Sequence, residues 1–343
     1  MDFPITSASS ENIARAAHIL GSGGLVAFPT ETVYGLGADG LNPNAVAKIF
    51  SAKGRPADHP LILHVASRSR ARALAAQWPP EADRLADAFW PGPLTLILKR
   101  ATVVSDAVTG GQDTVGVRMP AHPVAIALLS EFEHTGSGVV AAPSANRFGG
   151  VSPTRASDVA QSLGDRLTDS DCILDGGECA VGLESTIVDL SGGHPRILRP
   201  GGVSRAAIEH VLGAPLPQAD SALNASVPRV SGALESHYAP TATTLVADRE
   251  HLLAALTLSA GAAMRPEPHV VVLIMDTSLE PRLRARPHTT CLRMPDDPEG
   301  YAHDLYARLN DADRLAPDLI VIERPPSSVA WEAVNDRLRR ASA

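Results

Sequence analysis

Lysine is nearly absent from this sequence of 343 residues: Lys48, Lys53 and Lys99 stand among 30 basic side chains, the rest being arginine. Basic charge as a whole is in deficit, with 38 acidic residues and a net charge of −8, and acids outnumber bases in both halves of the chain. A protein whose main task is sequence-independent binding of nucleic acid needs a basic face; that class is disfavoured, and only a local basic cavity stays open. Cysteine is scarce too. Cys172, Cys179 and Cys291 are too few and too irregularly spaced for a disulfide framework or a zinc site, and read as buried thiols. Aromatic residues make up 4% of the chain against 44% hydrophobic overall, so its cores must be packed with aliphatic side chains, as in α/β proteins. No apolar run is long enough to span a bilayer. The N-terminus lacks a basic region followed by an apolar run, so no signal peptide is expected, and the cytosol is the expected compartment. Three reaction signatures are missing as well: the Walker A loop, H-E-x-x-H and G-x-S-x-G.

The length favours two domains. Hydrophobic periodicity predicts helices at about 10–21, 44–53, 67–76, 81–89, 122–131, 155–162 and 204–212. Strands fit 24–28, 61–65, 94–99, 115–119, 139–142, 173–174, 186–190 and 197–198. This mixture implies an open, twisted sheet covered by helices. Residues 214–241 are rich in Pro, Ser and Ala without periodicity and read as a linker or lid. Beyond them, strands at 242–247, 269–275, 289–293 and 318–322 alternate with helices at 249–258, 299–312 and 328–341, the pattern of a small parallel α/β domain. The domains are therefore expected at 1–213 and 242–343.

Several short segments could carry chemistry. Phe28-Pro29-Thr30-Glu31-Thr32-Val33-Tyr34-Gly35-Leu36-Gly37 reads as a connection between a strand and a helix, where open α/β sheets place ligands. Gly35–Gly40 satisfies G-x-G-x-x-G, but Pro29 separates it from the strand, the helix begins only after Pro43, and no acid ends the next strand; a dinucleotide site, with Arg68 and Arg70 for NADP, is the weaker reading. Lys53-Gly54-Arg55-Pro56 can aim two cations at one phosphate chain, or simply complement the end of a helix. Trp90-Pro91-Gly92-Pro93-Leu94-Thr95 reads as a rigid structural turn. In Asp113–Pro120 alternation puts Val115, Val117 and Met119 on one face and Thr114, Gly116 and Arg118 on the other, and Arg118 could clamp a carboxylate. Ala141-Ala142-Pro143-Ser144-Ala145-Asn146 and Ser152-Pro153-Thr154 offer hydroxyl and amide groups to phosphate or ribose. Glu184-Ser185-Thr186-Ile187, Leu198-Arg199-Pro200-Gly201 and Ser236-His237-Tyr238-Ala239-Pro240 complete the set.

Taken in order, P-T-E-T-V-Y-G-L-G, K-x-R-P, W-P-G-P-L-T, V-R-M-P, A-P-S-A-N, S-P-T, E-S-T-I and L-R-P-G resemble the run that marks the YrdC-like threonylcarbamoyl-adenylate synthases, over residues 10–213. The H-Y-A-P segment and the extra domain resemble the long form of that family, as does Asn335–Arg340, although Pro325–Ser328 stands where a glycine-rich turn would be expected. The resemblance implies a YrdC-like open twisted mixed sheet with helices and a small Rossmann-like parallel α/β domain at the C-terminus. It implies a nucleotidyltransferase joining L-threonine, bicarbonate and ATP into threonylcarbamoyl-AMP with release of pyrophosphate, and a partner transferase that passes the group to tRNA beside the anticodon; a direct tRNA contact is open. Carried over by position, Lys53 and Arg55 hold phosphates as the catalytic cations, with Ser144, Asn146 and Ser152. Arg118 takes the threonine carboxylate, with Thr30, Tyr34, His64 and Ser185 near it. Thr114, Arg199, His237 and Tyr238 lie on the nucleotide side, the last pair folding the linker over the site. Magnesium is expected to arrive with ATP, held mostly through water, with no dedicated metal ligands. An RNA-binding module without catalysis is the rival from another class.

Overall fold

The computed structural model describes residues 3–217, 227–232, 234–235, 237–250, 252 and 268–343. By internal contacts the chain forms two units, one of Met1–Phe148 with Ser152–Ala233 and one of Gly149–Val151 with Leu234–Ala343. The expected linker is thus divided: its part up to Ala233 belongs to the first unit, the remainder to the second.

The first unit is built on a ten-stranded sheet. In chain order its strands are β1 (Ile5–Ser7), β2 (Val26–Pro29), β3 (Tyr34–Asp39), β4 (Ile62–His64), β5 (Leu94–Lys99), β6 (Thr114–Arg118), β7 (Val140–Ala141), β8 (Cys172–Asp175), β9 (Thr186–Asp189) and β10 (Arg196–Arg199). They lie side by side as β1-β8-β2-β3-β7-β4-β6-β5-β9-β10. Parallel pairs (β1/β8, β8/β2, β4/β6, β5/β9) occur beside antiparallel ones, so the sheet is mixed. Helices α1 (Ser10–Gly21), α2 (Pro43–Lys53), α3 (Pro80–Phe89) and α4 (Pro123–Thr135) pack on it. Both faces are apolar. On one, Val26, Phe28, Val140 and Leu174 pack with Ala16, Ala17 and Leu20 of α1 and Leu128, Leu129 and Phe132 of α4. On the other, Ala27, Leu36, Leu63, Leu96, Val115 and Val117 meet Val46 and Ile49 of α2 and Leu85 of α3. A fully buried side chain such as Phe132 contributes on the order of 1.5–3 kcal/mol.

The strand β3 departs from the expected connection over residues 28–37. Its glycines serve packing rather than a turn: a Cβ at Gly37 would stand 2.8 Å from both the Phe28 ring and Val140, and one at Gly35 would stand 3.2 Å from Ala142. The G-x-G-x-x-G glycines therefore begin inside a strand paired with β2, not in a turn that opens a helix. The helix α2 starts where Asn42 accepts hydrogen bonds from the Asn44 and Ala45 N–H groups, with Pro43 at its first position, and stops at Gly54, whose φ of 64° only glycine adopts without strain. All three cysteines are free and buried.

In the second unit β11 (Thr243–Ala247), β12 (Val270–Ile274), β13 (Thr289–Arg293) and β14 (Leu319–Glu323) form a wholly parallel sheet in the order β11-β14-β12-β13. Helices Pro298–Arg314 and Glu332–Ala341 follow the expected periodicity, while the short helix Glu280–Arg284 carries no sequence signal. The expected helix at 249–258 falls outside the described residues apart from 249, 250 and 252. Among the described residues no helix is long and apolar enough to cross a membrane.

Candidate active site

Three neighbouring strands bring polar side chains onto one face. His64 of β4 and Thr95 of β5 both pair with Arg118 of β6 across the ladder, and residues directly opposite in a sheet share a face. Thr95 Oγ1 lies 2.7 Å from Ser185 Oγ, at the entry to β9. Arg199 at the end of β10 donates to the Ser185 carbonyl from Nε at 3.1 Å and from Nη2 at 2.9 Å, and to Ser185 Oγ at 3.1 Å.

Arg118 is held from several sides. Its Nη2 donates to Glu31 Oε1 at 2.6 Å, its Nη1 to Thr32 Oγ1 at 2.9 Å and its Nε to the Gly92 carbonyl at 3.4 Å. The other Glu31 oxygen accepts the Ala121 N–H at 3.0 Å. Burial alone would raise the Glu31 pKa, but the Arg118 charge and these hydrogen bonds outweigh it and hold the carboxyl below its usual range. His64 is pushed to about 3, first by burial and then by the Arg118 charge, so its ring is neutral, and its Nδ1 makes no hydrogen bond.

Thr30 closes the β2–β3 loop on itself. Its hydroxyl donates to the Val33 carbonyl at 2.7 Å and accepts the Thr32 and Val33 N–H groups, each at 3.2 Å. Tyr34 is turned into the core, its hydroxyl donating to the Gly177 carbonyl at 2.8 Å and accepting the Gly176 N–H at 3.3 Å. Burial raises its pKa. The first of these residues shapes the loop that presents Glu31 and Thr32, and the second fastens that loop to the turn after β8.

Beside this row Arg55 and Arg199 reach Ser231 on the wall of a cleft, while Lys53 lies against the Ser144–Asn146 segment. Lys53, at the end of α2, is buried and donates to the Ser144 carbonyl at 2.6 Å and to the Asn146 carbonyl. Burial and the neighbouring Arg55 charge push its pKa well below the ordinary lysine value. Arg55 donates to the Pro60 carbonyl at 3.0 Å and lies 5.7 Å from the Phe148 ring centre. Ser152 donates to Glu184 Oε1 at 2.7 Å. Thr114 lines a shallow cleft with Ile62, Ile97, Ile187 and Ser231.

His237 and Tyr238 belong to the second unit. Tyr238 takes a left-handed backbone at φ 63°. Its ring lies 5.6 Å from Tyr306 and 5.3 Å from the Arg337 guanidinium. The His237 N–H donates to the Arg340 carbonyl at 3.2 Å.

Sequence reasoning did not single out Glu31, Thr32, Thr95, Gln112, Glu184 or Ser231 as site residues. Glu31, Thr32, Thr95 and Glu184 lie inside the quoted motifs, where nothing local sets them apart from their neighbours, and nothing local marks Gln112 or Ser231.

Buried cations, hydroxyls at strand ends and a neutral histidine suit an enzyme that works by holding anionic substrates together. The comparisons agree. The family model described as telomere recombination, of the Sua5, YciO and YrdC proteins, matches residues 18–201, and that described as the threonylcarbamoyl-AMP synthase C-terminal domain matches 203–343. The chain is 41% identical to the threonylcarbamoyl-AMP synthase of Pyrococcus abyssi, covering 96% of this chain and 94% of that one. It is 37% identical to that of Bacillus subtilis, covering 98% and 94%. The structure of P. abyssi Sua5 complexed with L-threonine superposes with a TM-score of 0.85 at 40% identity, covering 97% of this chain and 95% of that one. The chain belongs to the threonylcarbamoyl-AMP synthase family, in the two-domain form, and is an enzyme of the nucleotidyltransferase type.

Proposed function

We propose that the row of Arg118, His64, Thr95 and Ser185 receives L-threonine, while Lys53, Arg55, Arg199 and the Thr114 cleft receive ATP. The observation that carries this reading is continuity. From Arg118 the path runs to its cross-strand neighbour Thr95, then by hydrogen bonds to Ser185, Arg199, Ser231 and Arg55. An amino acid at one end and a triphosphate at the other would lie on one continuous surface. The complex of P. abyssi Sua5 with L-threonine supports the amino-acid end.

The chemistry then needs positioning more than acid–base catalysis. The threonine amine and bicarbonate give N-carboxy-threonine with loss of water, and its carboxylate oxygen attacks the α-phosphorus while the bond to pyrophosphate breaks. Arg118 orients the amino acid by its carboxylate, and neutral His64 can accept from the hydroxyl or amine. Lys53 and Arg55 compensate the charge that gathers on pyrophosphate. Ser144, Asn146 and Ser152 border the phosphate path. Among the described residues no group of three or more His, Cys, Asp or Glu could hold a metal ion, and Glu31 and Glu184 are committed to Arg118 and Ser152. Magnesium fits as a passenger of ATP, where it would withdraw charge from the phosphates. The product suits transfer to tRNA by a partner enzyme in the cytosol.

The test is pyrophosphate release by the full chain with ATP, magnesium, bicarbonate and labelled threonine. Release that depends on both threonine and bicarbonate, and is lost in Lys53→Ala and in Arg118→Ala, supports the reading. A well-folded chain that releases none sinks it.

A further inference from the structure

Residues 227–232 have no periodicity in sequence, yet they are fastened to the first unit at four points. The Gln112 side-chain amide grips the main chain of Arg229 at both ends: its Oε1 accepts the Arg229 N–H at 2.7 Å and its Nε2 donates to the Arg229 carbonyl at 3.1 Å. The Arg229 guanidinium donates to the Gly110 carbonyl at 2.9 Å and faces Asp58 at 3.4 Å. Val230 is buried against Ile97 and Ile187. Ser231 then meets two arginines at once. Its carbonyl accepts from Arg199 Nη1 at 2.9 Å and its hydroxyl from Arg55 Nη2 at 3.4 Å.

A primary amide that donates to one main-chain group and accepts from another of the same residue reproduces a rung of a β-ladder. It holds an extended backbone whatever side chain that residue carries. The register it fixes matters two residues on: one step of slip would turn Val230 out of the apolar slot and move Ser231 off both arginines.

We propose that Gln112 is a positioning residue for nucleotide binding, clamping the 229–231 strap so that Ser231 spaces Arg55 and Arg199 and walls the cleft that receives ATP. This rests on the assignment of those two arginines to the nucleotide. Gln112 also lines that cleft; the role proposed for it is exerted through the strap, which the cleavage readout below reports separately.

Two readouts test it on the full chain. Gln112→Leu keeps the bulk and removes both hydrogen bonds to Arg229 together with the one from Nε2 to the Thr109 carbonyl at 3.2 Å, and Gln112→Glu keeps the acceptor but sets a carboxylate oxygen against the Arg229 carbonyl. Two ordinary hydrogen bonds together stabilise by about 1–3 kcal/mol, which corresponds to roughly 5- to 150-fold in affinity. Both variants are expected to bind ATP at least fivefold more weakly by calorimetry, with threonine affinity within twofold and a melting temperature lowered no further than that of the chain ending at Gly213. Trypsin, which cuts after Arg229, is expected to cleave there faster in both variants. ATP should protect the natural chain more than either variant. Unchanged ATP affinity overturns the proposal even if cleavage accelerates, and unchanged cleavage shows that Gln112 does not hold the strap. A failure of the wider reading looks different: the natural chain would then release no pyrophosphate, while cleavage at Arg229 still reports the clamp.

Discussion

The Glu31 carboxylate accepts a hydrogen bond from Arg118 at 2.6 Å, with both side chains at or below one-tenth exposed. The pair comes from the β2–β3 loop and the end of β6, and it means that the cation proposed for the threonine carboxylate already carries one. Removing the arginine alone strands a buried charge. Arg118→Ala is therefore expected to destabilise the fold by about 3–5 kcal/mol in urea unfolding, and Glu31→Gln added to it should recover part of that loss. Equal losses in the single and double variants would contradict a coupled buried pair.

His64 makes stability depend on pH. Its folded value of about 3 lies below the 6.5 of an unperturbed ring, so between those values the unfolded chain binds the extra proton and stability falls as pH falls. The slope is about 1.4 kcal/mol per pH unit inside that window, or roughly 2 kcal/mol between pH 7 and pH 5. Melting curves of the natural chain and of His64→Gln should diverge by that amount over the interval. Parallel curves would show that the ring is not held neutral.

Lys53 should report nucleotide by taking up a proton. Burial and Arg55 depress its pKa well below 10.5, so the folded chain sheds a proton the unfolded one keeps, and stability rises with pH from the folded value up to 10.5. Phosphate beside the amine reverses the depression. ATP binding measured calorimetrically in two buffers of different ionisation heat is expected to show net proton uptake. That uptake should vanish in Lys53→Met, and its persistence there would place the titrating group elsewhere.

A chain ending at Gly213 keeps all ten strands of the first sheet but loses the strap. Burial of one valine is worth about 1.5–3 kcal/mol, small beside a sheet packed on both faces, so the truncated chain should fold with a modestly lower melting temperature. Its synthesis of threonylcarbamoyl-AMP should be weakened. Undiminished turnover would mean that nothing beyond Gly213 serves the site.

Much of the first sheet was legible because its strands keep period two. Along 114–118 the alternation put Val115 and Val117 in the core and Thr114 and Gly116 on the cleft. The ends of α2 were legible through Pro43 at its first turn and the Lys53-Gly54-Arg55-Pro56 segment that closes it, but the Asn42 cap was not. The strand β3 was not, because glycines that accommodate Phe28 look in sequence like glycines that turn. The contacts that assemble the site were beyond any local reading. Glu31 and Arg118 are 87 positions apart, and Gln112 and Arg229 are 117 apart; such pairs exist only once the sheet order is known. Motif order supplied the candidates, and the fold supplied their neighbours.

The second unit carries its own answer to an old question about parallel sheets. Their strand order β11-β14-β12-β13 reverses between β12 and β14, and the crevice beyond the carboxyl ends there is where open α/β sheets take ligands. Here the last residue of β14, Glu323, is buried, and its Oε2 accepts the Met275 and Asp276 N–H groups at 2.7 and 2.9 Å. Two amides that could greet a phosphate greet the protein's own carboxylate instead. Any anion seeking that berth would have to displace a carboxylate tethered in the same chain, which already occupies both amides as a built-in ligand.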